Sequence, residues 1–233
     1  PQGARKAVAA GEPGVVVSTG DAGGIHRRLH EALSQKGARV TSLSDAETPE
    51  GQARVTRPAP GSAAAGGRAK PPETQQRAMD LSDPRVVEPW LDHSLFGGAR
   101  PAFGVFLVGG TEGGRGVLDF SGEEKQALAA RVQKGVSLFA ETARAVRDGG
   151  HLVVVGPPEE TGEGQLLLAA LRQTVRTFLA EQHFLPSPKT LRVSLFTTQM
   201  PGGERAAERD VLGILTGAEA PRVAPVPVGC PRP

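Results

Sequence analysis

Residues 15–40, VVVSTGDAGGIHRRLHEALSQKGARV, decide the fold. Three β-branched valines begin this stretch, and a turn with three glycines follows them. From Ile25 the apolar residues change to helical spacing, with Leu29 and Leu33 four and eight positions further on. Gly37 closes this helix, and a second apolar run begins directly after it. Strand, glycine turn, helix and strand in this order predict a βαβ unit of a doubly wound, Rossmann-like α/β sheet.

The glycine turn of this unit has a specific physical use. Glycines allow the backbone to approach a pyrophosphate closely, and the N-terminus of the following helix offers free N–H groups and the positive end of its dipole. A carboxylate that binds the ribose is expected about 20 residues beyond the glycines. Asp45 is the candidate, although simple alignment places Ser44 at the key position and a solvated loop aspartate explains Asp45 equally well.

The composition predicts one large α/β domain. The chain has 233 residues, 38% of them hydrophobic, with 31 glycines and 20 prolines, which indicates a globular body with loop-like insertions. Residues 50–77 contain several prolines and no hydrophobic periodicity, so we expect a low-complexity surface insertion around a short strand at 53–55. The expected organisation is a flexible lead-in over residues 1–14, a single Rossmann-like domain over 15–229 and a tail over 230–233.

Charge and residue usage argue against several functions. The 27 basic and 25 acidic residues nearly balance, tyrosine is absent and Trp90 is the only tryptophan. No basic patch with interleaved aromatic residues therefore indicates nucleic acid. No apolar run approaches the roughly 20 residues that a membrane span needs. Because the single cysteine, Cys230, rules out an internal disulfide, we expect a reducing, cytoplasmic compartment.

The remaining runs predict the rest of a parallel sheet of about seven strands with helices on both faces. Ser121 and Glu124 have the form of a capping box at the start of the longest helix. The predicted strands lie at 103–108, 151–155, 191–196 and, interrupted by prolines and so at an edge, 223–228. The predicted helices lie at 123–147, 166–182 and 206–215.

The turn TGDAGGIH at 19–26 resembles the TGxxxGxG turn of the short-chain dehydrogenase/reductase family, with His26 in place of the third glycine. Further landmarks follow in the family's order over about Val15 to Gly229, and the chain is most similar to β-ketoacyl-carrier-protein reductases and polyketide ketoreductases. The landmarks include an Asp-aliphatic pair, a long fourth helix and a Pro-Gly turn. For a dinucleotide, the resemblance implies contacts from Thr19, Gly20, Gly24, Ile25, Asp45, Asp80, Leu81, Gly109, Pro201 and Gly202.

The residues that carry out the family's hydride transfer are missing from this chain. In the family, a tyrosine protonates the carbonyl oxygen, a lysine four residues later assists it, a serine orients the carbonyl and an asparagine lies on the fourth helix. The resemblance places Gly164, Leu168, Gly156 and Gln133 at these four positions. A general acid must lie within hydrogen-bond reach of its proton. We therefore expect no catalytic residue.

Two groups of ionisable residues could in principle supply chemistry in place of the missing catalytic residues. The presence of each group also has a simpler explanation. Glu159, Glu160 and Glu163 follow the 151–155 strand, where a carboxylic acid could donate a proton, but a solvated acidic loop is the ordinary reading. His26 and His30 are four residues apart on the first helix, a spacing that can present two imidazoles to one metal. Because no third ligand is placed near them and two arginines lie between them, we expect a surface pair and no metal site.

The expected function is that of a catalytically inactive reductase-like domain with no required cofactor. In the resembled family, the helices that correspond to 123–147 and 166–182 pair across a dimer interface. The resemblance therefore implies a protein partner on this face: a second copy, an active reductase, or a neighbouring module of a fatty-acid or polyketide assembly. High-molecular-weight ketoacyl reductases, which carry an inert Rossmann-like domain ahead of a working one, are a similar arrangement.

Two alternatives to this hypothesis stay open. The chain could be an NADP(H)-dependent ketoreductase that uses unconventional catalytic groups. It could also be a nucleotide-sensing module that binds a dinucleotide without turnover. Nucleotide titration and turnover of a β-ketoacyl thioester distinguish these three functions.

Overall fold

The chain folds into one seven-stranded sheet with helices on both of its faces. The strands are β1 (Pro13–Thr19), β2 (Arg39–Ser44), β3 (Gln52–Arg57), β4 (Glu73–Ala78), β5 (Phe103–Val108), β6 (His151–Gly156) and β7 (Arg192–Thr197). The helices are α1 (Ile25–Gln35), α2 (Gly122–Ala145), α3 (Gly162–Gln182) and α4 (Gly203–Thr216), with a 3₁₀ turn at Val117–Asp119. This computed structural model describes residues 12–19, 24–44, 52–57, 73–78, 100–109, 116–157, 162–182, 184–185, 190–197 and 203–216.

The strand order β4-β3-β2-β1-β5-β6-β7 is that of a doubly wound fold. Five neighbouring strands, from β2 to β7, run parallel, and the chain moves outward in opposite directions from β1 and from β5. The predicted Rossmann-like α/β fold class is therefore confirmed. The expected strand at 223–228 lies outside the described residues.

The edge of the sheet beyond β2 differs from a uniformly parallel arrangement. β3 pairs antiparallel with β2, and β4 pairs antiparallel with β3. The predicted strand at 53–55 lies within β3, but β4 was not predicted. Its sequence, ETQQRA, has no alternation of apolar residues. A strand whose stability comes from backbone pairing rather than from a buried face gives no hydrophobic signal.

The sheet has one hydrophobic core on each face, and each core includes two of the four helices. Alternate residues of β1 point to opposite faces, so Val15 and Val17 pack under α2 and α3, while Val16 packs under α1 and α4. Both cores are continuous with the other parallel strands. The continuous apolar runs VVV in β1 and LVVV in β6 are explained by this double burial, since a parallel strand covered on both faces needs no polar alternation.

The start of α2 confirms the predicted capping box. The Glu124 backbone N–H donates to Ser121 Oγ at 3.2 Å, and the Ser121 backbone N–H donates to Glu124 Oε2 at 2.7 Å. Each group satisfies an N–H that a helix start leaves unpaired. The helix thus begins at a fixed residue, and the 24-residue α2 lies across β1 and β5 and beside α3.

Candidate functional site

The candidate site lies where β1 and β5 end side by side. The chain leaves β1 toward α1 and β2 on one side, and leaves β5 toward β6 on the other, so a crevice forms at their carboxyl ends. The Gly109 backbone N–H donates to the Thr19 carbonyl at 2.7 Å, which extends the pairing of β1 and β5 by one residue. Thr19 and Gly109, both predicted as cofactor contacts, are thereby brought together.

The N-terminus of α1 opens beside this crevice. Gly24 caps the helix in the left-handed region, with φ +73°, a conformation that disfavours other residues. Gly24, as the N-cap residue, offers no side chain that could cap the first N–H groups of α1. The Ile25 side chain is buried in the core, so only its backbone could contact a ligand. The geometry fits an anion at this helix end, as the glycine turn predicts.

The other predicted cofactor contacts, Gly20, Asp45, Asp80, Leu81, Pro201 and Gly202, lie outside the described residues. Ala78, the last residue of β4, lies three strand positions from β1, which is about 14 Å at the usual spacing. The antiparallel β3, inserted between β2 and β4, separates this strand end from the crevice.

Two of the four catalytic positions of the resembled family meet in the structure. Gly156 is the last residue of β6, and Leu168 lies in the second turn of α3 with 1% of its surface exposed. A Cβ atom on Gly156 would lie 2.6 Å from Leu168 Cδ1. The leucine side chain therefore occupies the volume that a serine side chain at Gly156 would need.

The other two positions differ in their surroundings. Gly164 is buried in the first turn of α3, one helical turn before Leu168. Gln133 is exposed on α2. The structure thus brings Gly156, Gly164 and Leu168 to one buried place and leaves Gln133 at the surface.

Glu163 does not lie in a solvated loop, contrary to the sequence-based expectation. Helix α3 begins at Gly162, four residues before the predicted start, so Glu163 lies in the first turn of α3 and is buried. It forms an ion pair with Arg131 of α2. A carboxylate near a helix N-terminus is favoured by the helix dipole, and the arginine compensates its burial. Glu159 and Glu160 lie outside the described residues.

Arg131 connects four elements at this end of the sheet, and the sequence analysis missed it. One guanidinium nitrogen bonds to Glu163, and the other, Nη2, donates to the Gly109 carbonyl at 2.9 Å. Gly109 in turn bonds to Thr19. The single arginine thus joins α2 and α3 to the ends of β5 and β1. No sequence motif predicts this role, because an arginine on an amphipathic helix usually faces solvent.

The start of α3 is also covered by the chain that precedes α2. A Cβ atom on Gly162 would lie 3.1 Å from the Val117 backbone nitrogen. The 3₁₀ turn at Val117–Asp119 therefore packs closely on the residue that begins α3. This turn, Leu168 and the Arg131–Glu163 pair all adjoin the first two turns of α3. A carboxylate that accepts hydrogen bonds from a guanidinium is in the wrong state to donate a proton.

His26 and His30 are buried, so the expectation of a surface pair is wrong. They are 4% and 3% exposed, while Arg27 between them faces solvent. Helix α4 packs against α1, and Arg28 bonds to Glu208 of α4 at 2.7 Å. The sequence analysis considered α1 against the sheet alone, whereas α4 also packs against α1. Among the described residues, no group of three potential ligands could hold a metal ion.

A groove runs between α2 and α3 on the side away from the sheet. Its cavity volume is about 460 Å³. Val136 of α2 lines this groove and is 41% exposed. Phe139 and Phe178 form its floor with an edge-to-face contact. Within the described part of the chain, no helix is long and apolar enough to cross a membrane.

The topology and the glycine-bearing crevice define the fold of the short-chain dehydrogenases/reductases, and comparison with solved structures agrees. A protein described as a short-chain alcohol dehydrogenase from Burkholderia multivorans superimposes with a TM-score of 0.59 at 13% identity, over 91% of this chain and 94% of that one. A short-chain dehydrogenase/reductase double mutant from Serratia marcescens gives 0.56 at 15% identity, over 91% of both chains.

A third similar structure belongs to a larger protein. The N-domain of a bacterial malonyl-CoA reductase, solved with NADP, gives a TM-score of 0.58 at 14% identity, over 93% of this chain and 42% of that one. No protein-family model matches the sequence, and no curated protein matches it either. At these identities the likeness establishes the fold, and the activity has to be argued from the site.

Proposed function

We propose that this chain is a catalytically inactive reductase-like domain that acts as a scaffold or oligomerisation partner, of the kind that a fatty-acid or polyketide assembly uses. The contact between Gly156 and Leu168 is the observation that carries this proposal. Because Leu168 Cδ1 is only 2.6 Å from where a Cβ on Gly156 would lie, a serine there would force the leucine side chain out of its present position.

The charged groups of the site support the same proposal. The chain has no tyrosine, and Glu163, the described carboxylate at this place, is held by Arg131. An enzyme of this fold needs a group that gives a proton to the developing alkoxide. An arginine–glutamate pair stabilises the packing of α3 on α2 and offers no such proton. The packing is retained while the reacting groups are replaced.

The partner surface in this proposal is the outer face of α2 and α3, over residues 123–147 and 166–182. The two helices have 24 and 21 residues, which gives them lengths of about 36 and 32 Å at the usual rise. Val136 and Leu166 are 41% and 40% exposed on them. A face of this length can bury the roughly 800 Å² per partner that a stable complex requires.

A nucleotide-sensing module is the second candidate, and the uncapped N-terminus of α1 favours it. A dinucleotide's pyrophosphate would lie at the N–H groups that follow Gly24. The N-domain of malonyl-CoA reductase, with the same fold, was solved with NADP. NADP(H) is therefore the cofactor to test. Its nicotinamide end, where hydride chemistry would occur, would meet the side chains packed around Gly156.

Titration with NADPH and NADH, followed by an assay with acetoacetyl thioester, tests the proposed function. We expect no oxidation of either nucleotide above the rate without protein. Binding is measured in parallel by calorimetry, with Gly24→Asp as the variant that places a carboxylate at the crevice.

Each outcome assigns one function. No turnover and no binding agree with an inactive scaffold. Micromolar binding that Gly24→Asp abolishes, again without product, assigns a nucleotide sensor. Turnover of the thioester with stoichiometric loss of NADPH means that the chain is a ketoreductase with unconventional catalytic groups, and the proposal is then wrong.

A further inference from the structure

The groove between α2 and α3 has the dimensions of a small-molecule site. Its cavity volume is about 460 Å³, within the roughly 300–1,000 Å³ that sites for small organic molecules enclose. Val136 and Leu185, which line it, are 41% and 48% exposed. Because burial of exposed apolar surface is favourable, the groove offers a place where the apolar body of a ligand can bind.

Three aromatic rings connect this groove to the sheet. The Phe106 ring of β5 lies 5.7 Å from the Phe139 ring at an angle of 84°, and the Phe139 ring lies 5.8 Å from the Phe178 ring at 90°. Both contacts have the edge-to-face geometry that aromatic rings prefer. Phe106 and Phe139 are completely buried, so the floor of the groove is anchored in the core. A preformed cavity binds a ligand without the free-energy cost of ordering its own walls.

Polar side chains of α3 that line the groove donate hydrogen bonds within their own helix. The Thr174 hydroxyl donates to the Ala170 carbonyl at 2.8 Å, and the Gln173 amide donates to the Thr177 hydroxyl at 3.4 Å. The oxygen atoms of these side chains can still accept hydrogen bonds. The lining therefore favours a ligand that donates hydrogen bonds over one that accepts them.

The charges along the groove favour a cation. Among the described residues, Arg144 and Glu181 are the charged residues that line it. The Arg144 guanidinium forms an ion pair with Glu141 of its own helix, so its charge is already compensated. Within the described part of the chain, no cation forms an ion pair with the Glu181 carboxylate. The groove thus presents a carboxylate that a cationic ligand can neutralise.

We propose that the groove between α2 and α3 binds a small organic cation, which consists of an ammonium group on an aromatic or aliphatic body. The ammonium group, which has only donors, would donate to the Glu181 carboxylate, and the body would pack on Phe178, Val136 and Leu185. The groove lies on the face proposed above for a protein partner, so the cation and the partner would exclude each other. This last consequence rests on the proposed function, whereas binding of the cation does not.

Three small probes that share a phenyl ring test the charge preference. At pH 7 phenethylamine carries the ammonium group, phenethyl alcohol is neutral and phenylacetate is anionic. Titration of the full, isotope-labelled chain is followed by the NMR chemical shifts of its backbone amides. We expect phenethylamine to bind about threefold more tightly than the alcohol, as an exposed ion pair allows, and phenylacetate to bind most weakly. The shift changes should be confined to α2 and α3 around the groove.

Two variants separate the role of the charge from that of the cavity. Glu181→Gln should lower the affinity for phenethylamine to that for the alcohol and leave the affinity for the alcohol unchanged. Ala140→Trp places a large ring in the groove and should weaken the binding of all three probes. Glu123→Gln is the matched control, because Glu123 is an exposed carboxylate of α2 outside the groove. Circular dichroism checks that each variant folds like the wild type.

Several results would overturn the inference. The three probes could bind equally well, phenylacetate could bind most tightly, or Glu181→Gln could have no more effect than Glu123→Gln. Shift changes that lie away from the groove, or no change at millimolar probe concentrations, would equally exclude the site. The proposed lack of catalysis is tested separately by NADPH oxidation, so failure of cation binding and failure of that proposal are distinguishable.

Discussion

At the scale of single residues, the side-chain size allowed at Gly156 depends on Leu168, and the reverse also holds. A glycine at the end of a buried strand has no packing advantage by itself, and its presence is explained by the leucine side chain that lies over it. Leu168 in turn packs in the core formed under α2 and α3. Comparison with the family's sequence pattern treats the residues at positions 156 and 168 as two separate changes. In the structure these two residues form a single packing contact.

Gly156→Ser is expected to lower the free energy of unfolding by about 1–3 kcal/mol, as overpacking of a core does. The change should cost less in a chain that also carries Leu168→Ala, because the shortened side chain leaves room. Urea unfolding of the two single variants and the double variant measures this coupling. Gly135→Ala is the control, since nothing lies within 4 Å of a Cβ there, and it should stabilise helix α2. Additive effects of the two substitutions would contradict the contact.

The ion pair between Arg131 and Glu163 should also contribute measurably. Arg131→Met leaves a carboxylate that is 9% exposed without its partner, and we expect a loss on the order of 2–3 kcal/mol, below that of a fully buried pair. A double-mutant cycle with Glu163→Gln isolates the interaction. Arg27 and Glu31, which are 61% and 57% exposed at 4.0 Å, form the matched control pair, with a coupling of about 0.5 kcal/mol or less. Equal couplings in the two cycles would argue against a structural role for Arg131.

At the scale of elements, the sequence determined those segments that bury a periodic face. β5 and β6 were predicted within one residue, and β1 extends two residues beyond each end of the predicted valine run. α2 was located by its capping box. The antiparallel β4 was missed because its residues are polar and its position depends on pairing with β3. The burial of His26 and His30 was missed because the sequence analysis did not consider the elements that pack on α1 from far away in sequence, such as α4.

The capping box of α2 can be tested directly. Ser121→Ala removes the hydroxyl that accepts the Glu124 N–H, and we expect the free energy of unfolding to fall by about 1 kcal/mol. Ser137→Ala, in the middle of the same helix, should be neutral or slightly stabilising because alanine favours helices. Chemical denaturation of both variants measures the difference. If the two substitutions had the same effect, the cap would contribute nothing beyond helix propensity.

At the scale of the whole molecule, the sequence predicted the position of the candidate site better than it predicted the residues that form it. The crevice between β1 and β5 follows from the order of the elements, and the resemblance placed Thr19, Gly24 and Gly109 beside it. The Arg131–Glu163 pair could not be named, because it joins residues of two helices whose relative position only the packed structure fixes. The groove between α2 and α3 depends likewise on how these two helices pack.

If the chain associates through the face of α2 and α3, its thermal stability should depend on its concentration. Unfolding of a dimer separates two chains, so the Tm of the wild type should rise between 1 and 100 µM protein, a range chosen to span about 8 to 5 kcal/mol of association free energy. The Tm of Leu166→Glu, which places a charge on this face, should stay nearly constant. Differential scanning calorimetry at several concentrations measures both. A wild-type Tm that does not depend on concentration would speak against any assembly in this range.

Leu168, whose side chain lies over Gly156, also restricts the order in which catalytic side chains could be introduced into this fold. A serine introduced first at position 156 would collide with the leucine, and a lysine introduced first at position 168 would place an uncompensated ammonium group in an apolar core. Only a path that begins by shortening residue 168 avoids both penalties. The order of substitutions is thus constrained by epistasis, because a side chain at position 156 costs least once residue 168 has been shortened.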